Sequence, residues 1–364
     1  MDTRNKLVNE SKLALVGSYP PPYGGVSIHI QRLHAECLNN NIRCTVFAVN
    51  SNVKIVEHVL KLKRIKDWLR ILTSNQDIIH VHITNMHWIV ASFFSYMSRI
   101  KRVKFVLTYH SLRYNEKDFS PIGRKMIKIV LKHSSHCIVT NKVIAAKLLS
   151  MGADIERISV VSPFLPPVVN DQDISEIPQE VWDFIDTHTP VISANAFSIM
   201  FYNDQDLYGI DMCIDLCANL KDTFPQIGFV FCIPHIGNQE YFNIMKQRIT
   251  EKGIENNFLF VTEPYQLYPI LMKTDVFVRP TNTDGDAISI SEALFFKKPV
   301  VASDVITRPK GTMLFKNRDM EDFITQVRIL LGNYDRNKSK LRSLEVTSGL
   351  SEILEIYRSL ADKT

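Results

Sequence analysis

The chain has 364 residues, 45% of them apolar and 22% charged, which excludes a disordered or fibrous protein and makes two domains the expectation. The net charge of +5 is unevenly spread: residues 1–168 hold 24 Lys/Arg against 10 Asp/Glu (+14), and residues 169–364 hold 19 against 28 (−9). The first half is therefore expected to face something anionic, either phospholipid or nucleic acid.

The start of the chain has only a short apolar run, Leu13–Val16, and does not read as a signal peptide. No run approaches the roughly 18 apolar residues that span a bilayer. The six Cys are scattered, with no CxxC pair, which fits reduced thiols and a cytoplasmic chain.

The first expected strand, Lys12–Ser18, runs into SYPPPYGGVSIH. Two glycines, Gly24 and Gly25, stand where strand turns to helix, so their backbone N–H groups can approach a phosphate closely. A helix follows over Val26–Leu38, then a strand over Cys44–Ala48. Residues 53–72 carry apolar residues at helical spacing, with Lys61, Lys63, Arg64, Lys66 and Arg70 mostly on the other face and Trp68 near the seam. Such a basic amphipathic helix suits an anionic membrane surface. Strands follow at Asp77–Ile83, with His80 and His82 alternating along it, and at Lys104–Tyr109, which ends in His110. No third ligand is evident near His80 and His82, so no metal site is expected. The half closes with a strand at His136–Thr140, a helix at Asn141–Ser150 and a strand at Ile158–Val161.

SPFLPPVVNDQDISEIPQE, residues 162–180, reads as the linker. Beyond it, strands are expected at Val191–Asn195, Ile227–Cys232, Phe258–Val261, Asp275–Arg279, Pro299–Ala302 and Met313–Phe315, with helical stretches between. One helical pattern, Leu341–Leu360, ends the chain. Strands alternating with helices predict an α/β protein with two doubly wound parallel sheets, residues 1–168 and 169–344. Ligands of such folds bind outside the carboxyl ends of the strands.

The most informative stretch is Arg279–Asp304, RPTNTDGDAISISEALFFKKPVVASD. It combines a strand end, a polar loop with Gly285, and a helix start flanked by Asp284, Asp286 and Glu292. Helix N–H groups beside carboxylates suit a ligand with both phosphates and hydroxyls. Ser289-Ile290-Ser291-Glu292 also fits a capping box. Asp284-Gly285-Asp286 is literally a DxD, a motif that binds metal ions in other folds. There is neither GxGxxG nor GxxxxGK[ST], which disfavours dinucleotide oxidoreductases and P-loop NTPases, and no nucleic-acid-binding motif.

This stretch resembles the signature of the family 4 retaining glycosyltransferases, in which two Glu eight residues apart flank a Gly-rich turn and a helix start. Asp284 takes the first place and Glu292 the second. The resemblance implies a GT-B fold, two Rossmann-like domains facing across a cleft, with the last helix (about 345–364) crossing back to the first. It implies a metal-free glycosyl transfer from a nucleotide sugar linked to UDP, GDP or dTDP, with no cofactor. Asp284 would hold donor hydroxyls, Glu292 the ribose and His110 the reacting sugar. Gly24, Gly25, Gly285, Asp286 and the helix start at Ala287, Ile288 and Ser289 would surround the donor.

Two departures stand out. Asp284 is one methylene shorter than Glu, which sets its carboxylate about 1.5 Å further back. The family's diphosphate-clamping Arg and Lys are replaced: Asn195 and Ala196 stand near the first place, and Tyr208 precedes Gly209 at the second. Arg279, Arg308 and Lys310 are the candidate substitutes. The expected setting is bacterial surface polysaccharide assembly, with a lipid-linked glycan acceptor, at the inner face of the cell membrane. The alternative is a non-catalytic sugar-nucleotide-binding or scaffolding subunit with the same fold.

Overall fold

The computed structural model describes residues 12–21, 23–50, 53, 56–62, 67, 71, 75–83, 92–93, 95–96, 99–100, 103–112 and 119–362. The chain forms two compact units, one of Met1–Leu165 with Thr347–Thr364, the other Pro166–Val346.

The first unit holds a seven-stranded sheet: β1 (Lys12–Gly17), β2 (Arg43–Ala48), β3 (Val59–Lys61), β4 (Ile78–Ile83), β5 (Lys104–Tyr109), β6 (His136–Val139) and β7 (Ile158–Val160). Every pairing is parallel, in the order β3-β2-β1-β4-β5-β6-β7. All six residues of β4 are buried, as a parallel strand covered on both faces requires. The sheet order reverses between β1 and β4, the point where such sheets leave a crevice beyond their strand ends. Gly24 and Gly25 follow β1, and His82 lies near the end of β4.

The last helix, Leu350–Ala361, belongs to this unit. Its Tyr357 is fully buried, with its hydroxyl 2.5 Å from His80 Nδ1. The other nitrogen of His80 lies 2.6 Å from Thr108 Oγ1 on β5. His80 is thus satisfied from both sides and ties the helix to the sheet.

The second unit holds β8 (Val191–Asn195), β11 (Gly228–Cys232), β12 (Phe258–Val261), β13 (Val276–Arg279), β14 (Val300–Ser303) and β15 (Thr312–Phe315). All are parallel, in the order β12-β11-β8-β13-β14-β15. Here the order reverses between β8 and β13, so Asn195 and Arg279, the last residues of those two strands, meet at the switch point.

Four sequence expectations are corrected. Residues 53–72 are not one helix: Val59–Lys61 pairs with β2, Val46 against Val59, because Val59 fills the edge of the core. Lys63, Arg64, Lys66, Trp68 and Arg70 lie outside the described residues. The linker stretch contains the helix Asp171–Ser175, whose N-cap Asn170 accepts from Asp173 N, and the start of the helix Gln179–Thr187. The last helical pattern is broken between Tyr334–Arg342 and Leu350–Ala361. The break falls where a Cβ on Gly349 would lie only 2.0 Å from the Ser162 carbonyl oxygen, a pass that only glycine permits. Finally, residues between β8 and the helix Ile210–Lys221 form a small antiparallel hairpin, β9 (Phe201–Tyr202) and β10 (Gln205–Asp206). Its turn residues Asn203 and Asp204 both have positive φ (49° and 58°), the signature of a tight primed turn.

Candidate functional site

In the second unit the expected residues converge on one carboxylate. Arg279 ends β13, and the loop after it returns Asp284 onto the guanidinium: Nε donates to Asp284 Oδ2 (3.2 Å) and Nη2 to Oδ1 (3.3 Å). Arg308, from the loop after β14, donates through Nη1 to the same Oδ2 at 2.8 Å. Thr281 Oγ1 and Gly285 N add 3.1 and 3.0 Å bonds. The side chains of Arg308, Asp284 and Arg279 are 2%, 9% and 10% exposed. Burial alone would push the Asp284 carboxyl up; Arg279 and Arg308 overcome this and hold it below the usual range.

The Arg279–Asp284–Arg308 cluster taken by itself carries a net charge of +1, and the Asp286 carboxylate is the nearest countercharge to Arg308 beyond it. These and neighbouring hydrogen bonds engage four of the five N–H groups of each arginine. Arg279 spends two of them, through Nη1, on the backbone oxygen and Oδ1 of Asn195, at 3.0 and 3.1 Å. It also lies over the Tyr208 ring, 5.1 Å from its centroid. The places from which the cationic clamp is missing are therefore both occupied by partners of Arg279. Arg279 thus carries its guanidinium from the end of β13 to the end of β8. Lys310 is exposed and takes no part in the Asp284 cluster.

The loop itself is shaped by its neighbours. Asn282 N donates to Leu207 O and its side chain to Tyr202 O, pinning the loop to the β9–β10 hairpin. Gly209, at φ +69°, is irreplaceable on local grounds, since a Cβ would lie 2.6 Å from Pro280 O. Gly285 is different: a Cβ there would meet nothing within 4 Å, and its side faces open space. Asp286 is partly buried, and burial together with Asp284 raises its carboxyl to about 6.

The helix after the loop is Ile288–Phe295, with Ala287 as its N-cap and no side-chain cap. The expected capping box is not formed, because the helix starts before Ser289. Ser289 is helical, and Glu292 lies in the second turn, 4% exposed.

In the first unit, the helix Gly25–Asn39 starts on Gly24, whose φ of −131° is ordinary extended backbone. Ser27 Oγ accepts from Gly24 N at 2.9 Å. One turn on, His29 packs against the strand-end histidines. Its ring centroid is 4.9 Å from that of His110 and 5.4 Å from that of His82. A Cβ on Gly17 would strike Ile30 and crowd His82, so the glycine lets helix and strands close here. Burial pushes His29 down to about 4, and His80, His82 and His110 well below the usual imidazole range, so all four are neutral at pH 7. His29 was missed as a partner of His82 and His110. The three come from separate segments, and no sequence spacing links them.

Residues 23–167 match the family model described as Glycosyltransferase Family 4, and residues 193–339 match Glycosyl transferases group 1. No curated protein matches the chain. Among solved structures, a glycosyltransferase from Rickettsia africae ESF-5 is 13% identical with a TM-score of 0.72, over 98% of this chain and 100% of that one. Anabaena Alr3699/HepE in complex with UDP is 15% identical (TM-score 0.66; 97% and 99%). WaaG, a glycosyltransferase involved in lipopolysaccharide biosynthesis, is 12% identical (TM-score 0.65; 95% and 99%). With these matches across both units, the chain belongs to the group 1, family 4 glycosyltransferases and has their GT-B fold.

Proposed function

We propose that the chain is a retaining hexosyltransferase that takes its sugar from a nucleotide sugar. The observation that carries this reading is the buried Arg279–Asp284–Arg308 cluster with its surplus positive charge, set beside the open Gly285 turn and the uncapped start of the Ile288–Phe295 helix. The neighbouring HepE was crystallised with UDP and with UDP-glucose. In the reaction proposed here, the bond from the anomeric carbon to the diphosphate oxygen breaks. An acceptor hydroxyl oxygen bonds that carbon and passes its proton to the leaving phosphate. The negative charge left on the diphosphate is met by the spare N–H groups of Arg279 and Arg308 and by the helix-start amides of Ile288 and Ser289.

Asp284 acts on the donor mainly by aiming both arginines, since its oxygens already accept five hydrogen bonds. Asp286 and Glu292 are assigned to donor hydroxyls, with Glu292 on the ribose. His110 is assigned to the reacting sugar. The cation that Arg279 delivers to the end of β8 favours an enzyme over a binding subunit that has lost its clamp. The product of a hexosyl donor labelled at C1 settles the stereochemistry by NMR. The expected outcome is the donor's own anomeric configuration, formed equally well in EDTA. Inversion, or loss of turnover in EDTA with recovery in manganese, overturns the proposal.

A lipid-linked glycan acceptor for surface polysaccharide fits a second feature of the first unit. WaaG, for its part, acts in lipopolysaccharide biosynthesis. Among the described residues no helix is long and apolar enough to cross a membrane. The helix Pro121–His133 starts cleanly, with Ser120 Oγ accepting from Gly123 N and Pro121 at its first turn. It buries Ile127, Val130 and Leu131, and exposes Lys125, Lys128, Lys132 and two isoleucines, Ile122 (71%) and Ile129 (38%). Cations interleaved with exposed isoleucines match an anionic bilayer surface, where each Lys or Arg contributes about 1 kcal/mol. Sedimentation with phosphatidylglycerol vesicles is expected to capture the protein at low salt and release it at high salt. A variant with Lys125, Lys128 and Lys132 changed to Gln should stay in the supernatant; equal binding by both would exclude this helix as the docking face.

A further inference from the structure

We propose that His29, His82 and His110 form a binding site for one divalent first-row transition metal ion, with zinc as the probe. Each ring offers one nitrogen, and the three nitrogens lie within 4.8 Å of one another. His82 Nδ1 and His110 Nε2 are 3.1 Å apart. Zinc–imidazole bonds of about 2.0–2.1 Å place tetrahedral ligand nitrogens roughly 3.3 Å apart, so this pair already stands close to one edge of a metal site.

The hydrogen bonds around the rings point the same way. His29 Nδ1 lies 2.7 Å from the Pro163 carbonyl oxygen, which can only accept. The proton is therefore on Nδ1, and Nε2 carries a bare lone pair. That Nε2 is buried and has no hydrogen-bond partner among the described residues. A carbonyl that fixes the tautomer and leaves the opposite nitrogen bare is the arrangement that orients metal-binding histidines. His82 faces His110 through Nδ1, so with a metal bound there its proton sits on the opposite nitrogen, Nε2. A buried unpaired nitrogen costs on the order of 1–3 kcal/mol, and an ion on His29 Nε2 would remove that cost. His80 is the contrast within the same group. Its ring lies 4.1 Å from that of His82, tilted by 32°, yet both its nitrogens are engaged, by Tyr357 and Thr108.

His29 and His82 are buried and His110 is half-buried. Three imidazoles suit zinc, cobalt, nickel or copper and leave a fourth position for water or a ligand oxygen. An ion there would also occupy His110. Zinc is therefore expected to inhibit turnover, an effect that rests on the function proposed above, whereas the binding itself does not.

Titration of the metal-free full chain with cobalt(II) tests binding directly. The expected result is one cobalt per chain with the visible d–d absorption of a four-coordinate nitrogen site, no thiolate charge-transfer band, and displacement by zinc. Losing an outer partner of a metal ligand costs about 10–100-fold in affinity, so losing a ligand should cost at least as much. His29→Gln and His110→Gln are each expected to weaken cobalt by at least tenfold, and the partly exposed His110 makes its variant safe for folding, checked by circular dichroism. Less than stoichiometric cobalt at micromolar concentration, or an unchanged spectrum in a folded His110→Gln variant, overturns the site. If cobalt binds and zinc leaves turnover untouched, the site stands and the assignment of His110 to the sugar falls.

Discussion

Asp284→Asn is expected to destabilise the second unit by about 3–5 kcal/mol, the cost of leaving buried charges without their partner. The size follows from the geometry. One carboxylate, 9% exposed, neutralises two guanidinium groups that are 10% and 2% exposed. Asparagine keeps one acceptor oxygen but turns an N–H₂ toward an arginine. Arg279 has a second anchor at Asn195, and Arg308 has Ser303 and Thr281, so the loop should loosen without the whole sheet being lost. Because the two arginines hold the Asp284 carboxyl below its unfolded value, its stabilisation is complete above the ordinary carboxylate range. It is lost as pH falls through the lowered value. Urea unfolding should therefore show a large gap between wild type and variant at pH 7 that narrows only as pH falls below the ordinary carboxylate range. A gap independent of pH would mean that the charge of Asp284 is not what holds the arginines.

Glu292→Gln is expected to weaken nucleotide binding by about 10–100-fold, the loss of one or more charge-assisted hydrogen bonds. The substitution conserves shape. Glu292 stands in the second turn of a helix that begins at Ile288, not at the capping-box place, so a lost capping box would not account for a loss of affinity. Thermal unfolding of the free variant beside its calorimetric affinity separates the two effects. Unchanged affinity with lowered stability would make Glu292 a residue of the packing alone.

Much of this fold is written locally. The expected strands in both halves are present within about a residue at each end, because a strand buried on both faces must be a continuous apolar run. What was illegible is what depends on partners distant in sequence. Val59–Lys61 has only three residues, and its strand character comes from the edge that β2 offers. The β9–β10 turn uses Asn203 and Asp204 without glycine, so it lacks the usual signal. Arg279 and Asp284 were legible as neighbours in one loop, but Arg308 joins them only because β14 lies beside β13. The resemblance marked the absence of a clamp cation after β8, and only the strand order shows that Arg279 is delivered to Asn195 from the adjacent strand. The three clustered histidines come from a helix and two strand ends, and parallel pairing of β4 with β1 and β5 is what assembles them.

Gly285 offers the most direct test of the donor site. Its backbone does not need glycine, and a Cβ would project into empty space, so the chain alone gives no reason for this residue. A donor lying against the turn would supply that reason. Calorimetric titration of wild type and Gly285→Ala with UDP, GDP and dTDP decides it. One of the three nucleotides should bind wild type and bind Gly285→Ala at least tenfold more weakly, about 1.4 kcal/mol, while the melting temperature of the free variant stays unchanged. Equal affinity in the two proteins, or no binding of any of the three to wild type, would contradict a nucleotide-sugar site at this loop.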